Sequence, residues 1–362
     1  MLTGRDREDH AEVTGPARSR RNTRSQYGIL TSIAGEAGVS LATVSKVVHR
    51  RRDVSEATRA RIEALLAERG YVRVWENDAL RPRQILAVFR DLAGPYTLEV
   101  VRGIVESAAE LGVHTTVGTT NRRPIAQWLQ ESVALGAAGV VIVISMLAEQ
   151  DQRHILEQRL PVVLVDPLNA PSADIPSVGV TNWHGATTAV QHLIDLGHRR
   201  IGMLAGRSSS LAGSARLHGY RAALAEAGIP YEPAYVRSTD FDYGEALRAA
   251  RGVLGLRDRP TALFCASDAQ ALGALEAARQ LRIAVPRELS VMSFDDTLVA
   301  SMASPPLSAV RQPFRELGQE ATRVLLHLAD GRPPATLRRE LATQLVVRGS
   351  TAPPGAGNHG PA

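Results

Sequence analysis

From Gln84 onward, short apolar runs alternate with amphipathic stretches of helical period, and this alternation restricts the fold more than any other feature of the chain. ILAVF precedes a helical stretch from Leu98 to Leu111, VHTTVG precedes one from Ile125 to Leu135, and GVVIVIS precedes one from Glu149 to Leu160. PVVLVD and PSVGVTN then lead into a helix ending at His198, and RIGMLAG, TALFCAS and LSVMSF with intervening helices form a second series. Strands that are apolar on both faces and separated by helices require parallel sheets covered on both sides. Two such series predict two similar lobes with a cleft at the carboxyl ends of their strands. A chain of 362 residues has room for that body and a small additional domain.

The additional domain is written in the stretch from Leu30 to His49, LTSIAGEAGVSLATVSKVVH, which reads as two short helices joined by a tight turn. Ile33, Ala34 and Ala37 share one stripe, Gly38 permits the turn, Val39 packs beneath it and Ser40 caps the second helix. Val44, Val47 and Val48 form the buried face of that helix, which leaves Leu41, Ala42, Ser45, Lys46 and His49 facing outward. An outward face with one long cation, small residues, hydroxyls and an apolar side chain suits a DNA groove better than a core hairpin. A third helix, capped by Ser55, turns Thr58, Ile62, Leu65 and Leu66 towards the first two and ends at Gly70.

The charge distribution agrees with this reading. Residues 1–83 hold 16 Arg plus Lys against 11 Asp plus Glu, whereas the remainder is balanced at 26 against 26, so the net +5 belongs to the head. A polyanion-seeking surface is therefore expected there. Lys46 is the only lysine in the chain and lies on the outward helix face. The opening MLTGRDREDH has no apolar stretch, no run is long enough to span a membrane, and Cys265 has no internal disulfide partner, which together predict a cytoplasmic protein.

GVSLATVSKVV, followed by Val54-Ser55 and Thr58-Arg59-Ala60-Arg61-Ile62, resembles the DNA-binding head of the lactose-repressor family of bacterial transcription regulators. The resemblance continues to about Arg348. It implies a small all-α helix-turn-helix head on an α/β two-lobed core like that of periplasmic binding proteins, with two parallel doubly wound sheets. The expected division is a basic, disordered N-terminal tail over 1–26, the DNA-binding domain over 27–72, a hinge over 73–83, an effector-binding and dimerisation core over 84–348, and a disordered tail over 349–362. Ser40, Leu41, Ala42, Thr43, Ser45, Lys46, His49, Arg50 and Arg51 are the expected DNA contacts of the head. In the family the hinge is a short helix that inserts a Leu into the minor groove, and Leu80 occupies the matching position. Here Arg73 replaces the usual Pro, and Glu76 and Asp78 bring carboxylates towards phosphates. Hinge ordering is therefore expected to be weaker than in the family pattern.

No phosphate-cradling glycine loop, nucleophile elbow or zinc-protease motif is present, and His184, His192 and His198 are spaced as structural residues rather than as metal ligands. No cofactor or metal is implied, and the chain reads as a binding protein rather than an enzyme. Polar residues instead stand at the strand ends: Asp166, Asn182, Asp268, and Asp295 with Asp296. Arg216 lies in SARLHGY and Gln312 in VRQP. Each alone reads as a helix cap or loop ion pair, but their convergence on one edge of two sheets suits the paired hydroxyls of a sugar. Tyr96, Trp183 or Phe241 are candidates to cover the sugar's C–H face.

The family resemblance implies the same cleft, carried by Tyr96, Asp166, Asn182, Arg216, Phe241, Asp268, Asp295 and Gln312. Thr181 and Ser267 depart from the family pattern, which often has Asp and Asn there. Arg216 and Asp295 are expected to approach the ligand from opposite lobes. The resulting expectation is a homodimeric repressor that binds double-stranded operator DNA and releases it when a small carbohydrate effector closes the core. Two rivals share parts of this pattern: a carbohydrate-binding protein without a regulatory role, and a sugar-modifying enzyme using Asp295 and Asp296. Adjacent residues on an extended segment point apart, which speaks against the second.

Overall fold

A computed structural model of the chain describes residues 30–48, 54–69, 83–121, 123–144, 146–157 and 160–355. The chain divides into two compact units, Met1–Arg81 and Pro82–Ala362. The first unit comprises α1 over residues 30–36, α2 (Leu41–Val48) and α3 (Glu56–Glu68). Its core contains Ile33, Ala34 and Ala37 from the first helix and turn, Val44, Val47 and Val48 from the second helix, and Ile62 and Leu66 from the third. The turn between α1 and α2 needs φ +64 at Gly38, a conformation that a side chain would disfavour. Ser40 accepts from the Thr43 N–H at 3.1 Å, and Ser55 accepts from that of Thr58 at 3.4 Å, so both predicted caps are formed. Arg69 ties the end of α3 to α1 by donating to Ser32 Oγ at 2.8 Å and pairing with Glu36.

The second unit contains two lobes of matching topology. Lobe 1 is built on β1 (Gln84–Phe89), β2 (His114–Thr119), β3 (Gly139–Val143), β4 (Val162–Val165) and β5 (Ser177–Val180), with α4 (Pro95–Glu110), α5 (Ile125–Ala134) and α6 (Glu149–Glu157) between them. Lobe 2 is built on β6 (Ile201–Ala205), β7 (Val236–Ser238), β8 (Ala262–Cys265), β9 (Ser290–Asp295) and β10 (Ser308–Arg311). Its connecting helices are α8 (Leu211–Glu226), α9 (Tyr243–Leu254), α10 (Asp268–Gln280) and the short α11 (Leu298–Met302). The remaining elements, α7 (Asn182–Asp195), α12 (Phe314–Ala329), β11 (Arg338–Leu341) and β12 (Gln344–Val346), exchange chain between the lobes. The helix after β5 packs on lobe 2, and the helix after β10 packs on lobe 1. Strand β11 then joins the sheet of lobe 1, and β12 joins that of lobe 2.

The two six-stranded sheets run β11-β5-β4-β3-β1-β2 and β12-β10-β9-β8-β6-β7. All pairings are parallel except that of β10 with β12. The central strands are buried on both faces, as their continuous apolar runs require. The exchanged helices approach their partners at glycines. A Cβ on Gly103 of α4 would meet the backbone oxygen of Arg315 in α12 at 2.0 Å, and one on Gly219 of α8 would meet that of Trp183 in α7 at 2.4 Å.

The end of the core differs from the sequence expectation. Residues 349–355 continue lobe 2 instead of beginning a disordered tail. Ser350 is fully buried, accepts from the Ser308 N–H at 2.8 Å and donates to the Val291 carbonyl at 2.6 Å. His198 bonds Thr261, Ser290 and the Ala352 carbonyl, and His192 lies 3.2 Å from Thr351 Oγ1. The hydroxyls of this segment satisfy buried backbone groups, so its Pro-rich continuation was a misleading guide. Burial holds the His198 imidazole below its usual pKa, consistent with a neutral structural residue. No helix among the described residues is long and apolar enough to cross a membrane. The expected tail over 1–26 and most of the hinge, including Leu80, lie outside the described residues.

Candidate ligand cleft and nucleic-acid interface

A cavity of about 400 Å3 opens between the lobes at the carboxyl ends of their strands. Among the described residues, five of the six non-glycine residues with positive φ sit at those ends: Ile144, Asp166, Phe241, Asp295 and Asp296. Left-handed backbone at side-chain-bearing residues is costly, and its concentration here sets the direction in which the strand-end side chains leave the sheet.

Lobe 2 supplies a buried charged cluster. Arg216, 6% exposed, projects from α8, and its Nη1 lies 3.6 Å from Asp295 Oδ1. Its Nε donates to Asn182 Oδ1 at 2.8 Å, its Nη1 donates to the Ala266 carbonyl at 2.5 Å, and its guanidinium stacks 3.8 Å from the Phe294 ring centroid. Gln312 Nε2 donates to Asp295 Oδ1 at 2.6 Å. Burial lowers the Arg216 pKa, opposed chiefly by Asp295, and raises that of Asp295 to about 7, opposed chiefly by Arg216. Both residues belong to lobe 2, so the expectation that they face each other across the cleft is wrong. Strand β9 ends beside α8 because it belongs to the sheet on which α8 packs.

Asp268 is at the cavity wall, but its carboxylate is already engaged. One oxygen accepts from Ser293 Oγ at 2.5 Å, and the other accepts from the N–H and hydroxyl of Thr297 at 2.7 Å each. Burial raises its pKa against those bonds. The side chain thus anchors the turn that carries Asp295. Asp296 points away from the cavity, to Arg311 at 2.7 Å and Arg348 at 2.6 Å, as the alternation of neighbouring residues requires.

Lobe 1 supplies a smaller polar pair on an apolar wall. The Tyr96 hydroxyl donates to Asp166 Oδ2 at 2.7 Å, and its ring meets Phe314 edge-on at 4.8 Å between centroids. Burial raises both groups' pKa values, with Asp166 adding to the shift on Tyr96. Phe89, Val143, Ile144 and Leu168 complete this side.

Seven of the eight expected effector residues therefore line one cavity. Asn182 does not line it; its amide holds Arg216 from behind. Trp183 is 48% exposed and also outside the lining, whereas Phe241 is within it. Helix α7 turns the Trp183 side chain away from the cleft, because its buried stripe begins at Gly185 and Ala186. Thr181, which departs from the family pattern, bonds Thr343 Oγ1 at 3.0 Å across two of the lobe-to-lobe strands of chain. Ser267 caps α10 by accepting from the Gln270 N–H at 3.3 Å. Sequence reading missed Ser210, Arg207 and Asp240 at the cavity. Their only signal was a position just after a strand, shared with many ordinary loop residues.

In the first unit, Ala42 and Lys46 are exposed, and Thr43 and Ser45 are half-buried beside them. Ser40 is exposed and caps α2. Leu41 is half-buried and rests on the head core, so it is less available than a free outward residue would be. His49, Arg50 and Arg51 lie outside the described residues. The remaining residues present a short, small-residue helix face with one cation, suitable for close approach to a groove.

Residues 29–73 match the family described as bacterial regulatory proteins, lacI family, and residues 190–351 match the periplasmic binding protein-like domain. The chain is 33% identical over 331 residues to the HTH-type transcriptional repressor CytR of Escherichia coli K12, covering 89% of this chain and 96% of that protein. It is 32% identical to the HTH-type transcriptional regulator CelR of Thermobifida fusca, covering 90% and 99%. Among solved structures, the complex of the regulator CelR with cellobiose superposes with a TM-score of 0.68 at 31% identity, covering 89% of this chain and 99% of that one. The lac repressor dimer bound to operator and the anti-inducer ONPF superposes with a TM-score of 0.68 at 30% identity, covering 89% and 98%.

Proposed function

This chain belongs to the lacI family of bacterial regulatory proteins, and from that premise we propose that it is a homodimeric, cytoplasmic repressor relieved by a small carbohydrate. The observation that carries the effector reading is the convergence of Tyr96 and Asp166 from lobe 1 with Arg216, Asp295 and Gln312 from lobe 2 on one cavity. Carboxylates and a forked guanidinium bind vicinal hydroxyls through directional, charge-assisted hydrogen bonds, and the Phe241 ring offers a face for the apolar side of a sugar. The relative solved with cellobiose supports that class. The relative solved on its operator as a dimer supports the second half of the reading.

The mechanism follows from the two walls. A ligand touching both lobes stabilises the conformation in which they are closest, and it shifts the DNA-binding equilibrium by its differential affinity for that conformation. Arg216 and Asp295 hold the ligand from lobe 2, while Asp166 accepts from it on lobe 1 with Tyr96 fixing the carboxylate's direction. On the DNA side, Ala42 and Lys46 read base edges, Ser40, Thr43 and Ser45 meet phosphates, and Leu41 contributes an apolar edge. His49, Arg50, Arg51 and Leu80 extend that footprint. Half-sites related by a two-fold axis supply the specificity that one small head lacks.

The test is operator affinity with and without sugar, combined with calorimetric titration. Wild type should lose affinity when the sugar is added. Arg216→Ala should bind operator as wild type does and ignore the sugar. A variant that still responds normally would remove the cleft from the regulatory path. Sugar binding without any sequence-specific DNA binding would leave a carbohydrate-binding protein with no regulatory role.

A further inference from the structure

We propose that the cleft takes an uncharged polyhydroxylated ligand and turns away the phosphorylated or carboxylate form of the same skeleton. This rests on the carbohydrate reading above and adds the ligand's charge to it. Among the described residues, three guanidiniums line the cavity, and each already faces a carboxylate of its own wall. Arg90 pairs with Asp91 at 3.2 Å, Arg207 pairs with Asp240, and Arg216 lies 3.6 Å from Asp295. Asp166 and Asp268 remain as further carboxylates, so the described residues of the lining hold more negative groups than positive ones. An anion entering this space would have to displace a carboxylate from its cation or sit beside unneutralised ones.

The other common anion holder, a helix N-terminus, is already in use in lobe 2. Four helices begin at the cavity wall. Helix α4 starts with Pro95, which removes one N–H, and has no side-chain cap, whereas the start of α8 is capped by Ser210. Helix α10 has Ser267 as its cap and Asp268 in its first turn, and the Thr297 N–H before α11 is bonded to Asp268. In lobe 2 these groups occupy donors and offset the positive dipole ends on which phosphate sites are built.

What the cavity offers instead is acceptors. Tyr96 donates its hydroxyl proton to Asp166 and so faces a ligand as an acceptor. Gln312, 5% exposed, holds an Oε1 with no hydrogen-bond partner among the described residues, while its amide nitrogen is used on Asp295. Hydroxyl groups match this surplus because they donate without carrying charge. Burial also raises the pKa values of Asp166, Asp268 and Asp295, and the same desolvation opposes any charged group brought into the cavity, an ammonium group included.

The experiment uses the full chain at pH 7 and matched sets on one skeleton: glucose, glucose 6-phosphate, glucuronate and glucosamine; ribose and ribose 5-phosphate; and cellobiose with its oxidised acid. Thermal midpoints screen the sets, and calorimetry measures those that bind. The neutral member of any binding set should win, with its phosphate or acid at least about tenfold weaker. Asp240→Asn, at the exposed mouth, releases Arg207 and should narrow that ratio several-fold. A phosphate, acid or amino form that binds as tightly as its neutral partner overturns the charge assignment and leaves the carbohydrate reading standing. If no member of any set shifts the midpoint, the carbohydrate reading falls and this inference falls with it.

Discussion

The two lobes repeat one arrangement with different chemistry. In lobe 1 the helix after the first strand carries Tyr96, which reaches Asp166 at the end of β4; in lobe 2 the corresponding helix carries Arg216, which reaches Asp295 at the end of β9. Both aspartates occupy positive-φ backbone, with φ 44 at Asp166 and φ 116 at Asp295. Lobe 1 therefore meets a ligand with a neutral donor on a carboxylate, and lobe 2 meets it with a salt bridge. The difference shows that the sheet topology sets where a strand-end aspartate and its helix partner stand, while the identity of the partner sets how strongly that wall holds charge.

The scaffold half of this comparison can be broken most severely at the exchanged helices. Gly103→Val and Gly219→Val each drive a side chain into the backbone of the facing helix, which no rotamer change relieves, and each should cost about 3 kcal/mol or more of stability. Chemical denaturation of the two variants compares the lobes directly. A loss confined to one of them would mean that the repeat is only approximate in its helix contacts.

The chemical half is tested by Arg216→Ala against Tyr96→Phe. Removing the guanidinium leaves Asp295 buried without its cation, so ligand affinity should fall by about 2–4 kcal/mol. Removing the Tyr96 hydroxyl deletes one hydrogen bond to Asp166 and should cost about 1 kcal/mol. Calorimetry gives both numbers, and equal losses would contradict the asymmetry of the walls.

Protonation sharpens the same contrast. Burial raises Asp295 to about 7, above its unfolded value near that of an ordinary carboxyl, so the native state binds more protons than the unfolded state between those values. Stability of the ligand-free protein should therefore decline as pH rises from about 4 to 7 and then level off with respect to this group. Asp295→Asn should flatten that slope in thermal midpoints measured across pH. A sugar that donates to ionised Asp295 should also release protons near pH 6, visible as an apparent enthalpy that changes with the buffer's ionisation enthalpy.

The head offers a separate contrast, between operator and random DNA. Lys46→Ala should weaken operator binding by about 1–3 kcal/mol and relax preference at one base pair, while random DNA is affected less. Equal losses on operator and random DNA would reduce Lys46 to a phosphate contact.

Much of this was readable from the residues in order. The periodicity of Val44, Val47 and Val48, the caps Ser40 and Ser55, and the apolar runs of the central strands are local signals, because each depends on neighbours within a few positions along the chain. The positions of Asp166, Asp268 and Asp295 at the cleft were likewise legible, since a parallel sheet places every strand's carboxyl end on one edge. Tertiary structure alone decided that Arg216 and Asp295 share a lobe, that Asn182 supports Arg216 from behind, that Asp268 is spent on Ser293 and Thr297, and that Ser350 closes the core instead of starting a tail. It also decided that α7, α12, β11 and β12 exchange chain between the lobes. These outcomes depend on residues from 25 to more than 150 positions apart meeting in one place, as Ser293 meets Asp268 and His198 meets Ala352, and hydrophobic period along the chain carries no information about such meetings. Period reports which face of an element is buried; which other element buries it, and which polar partner waits there, is settled only when the sheets and helices close on one another.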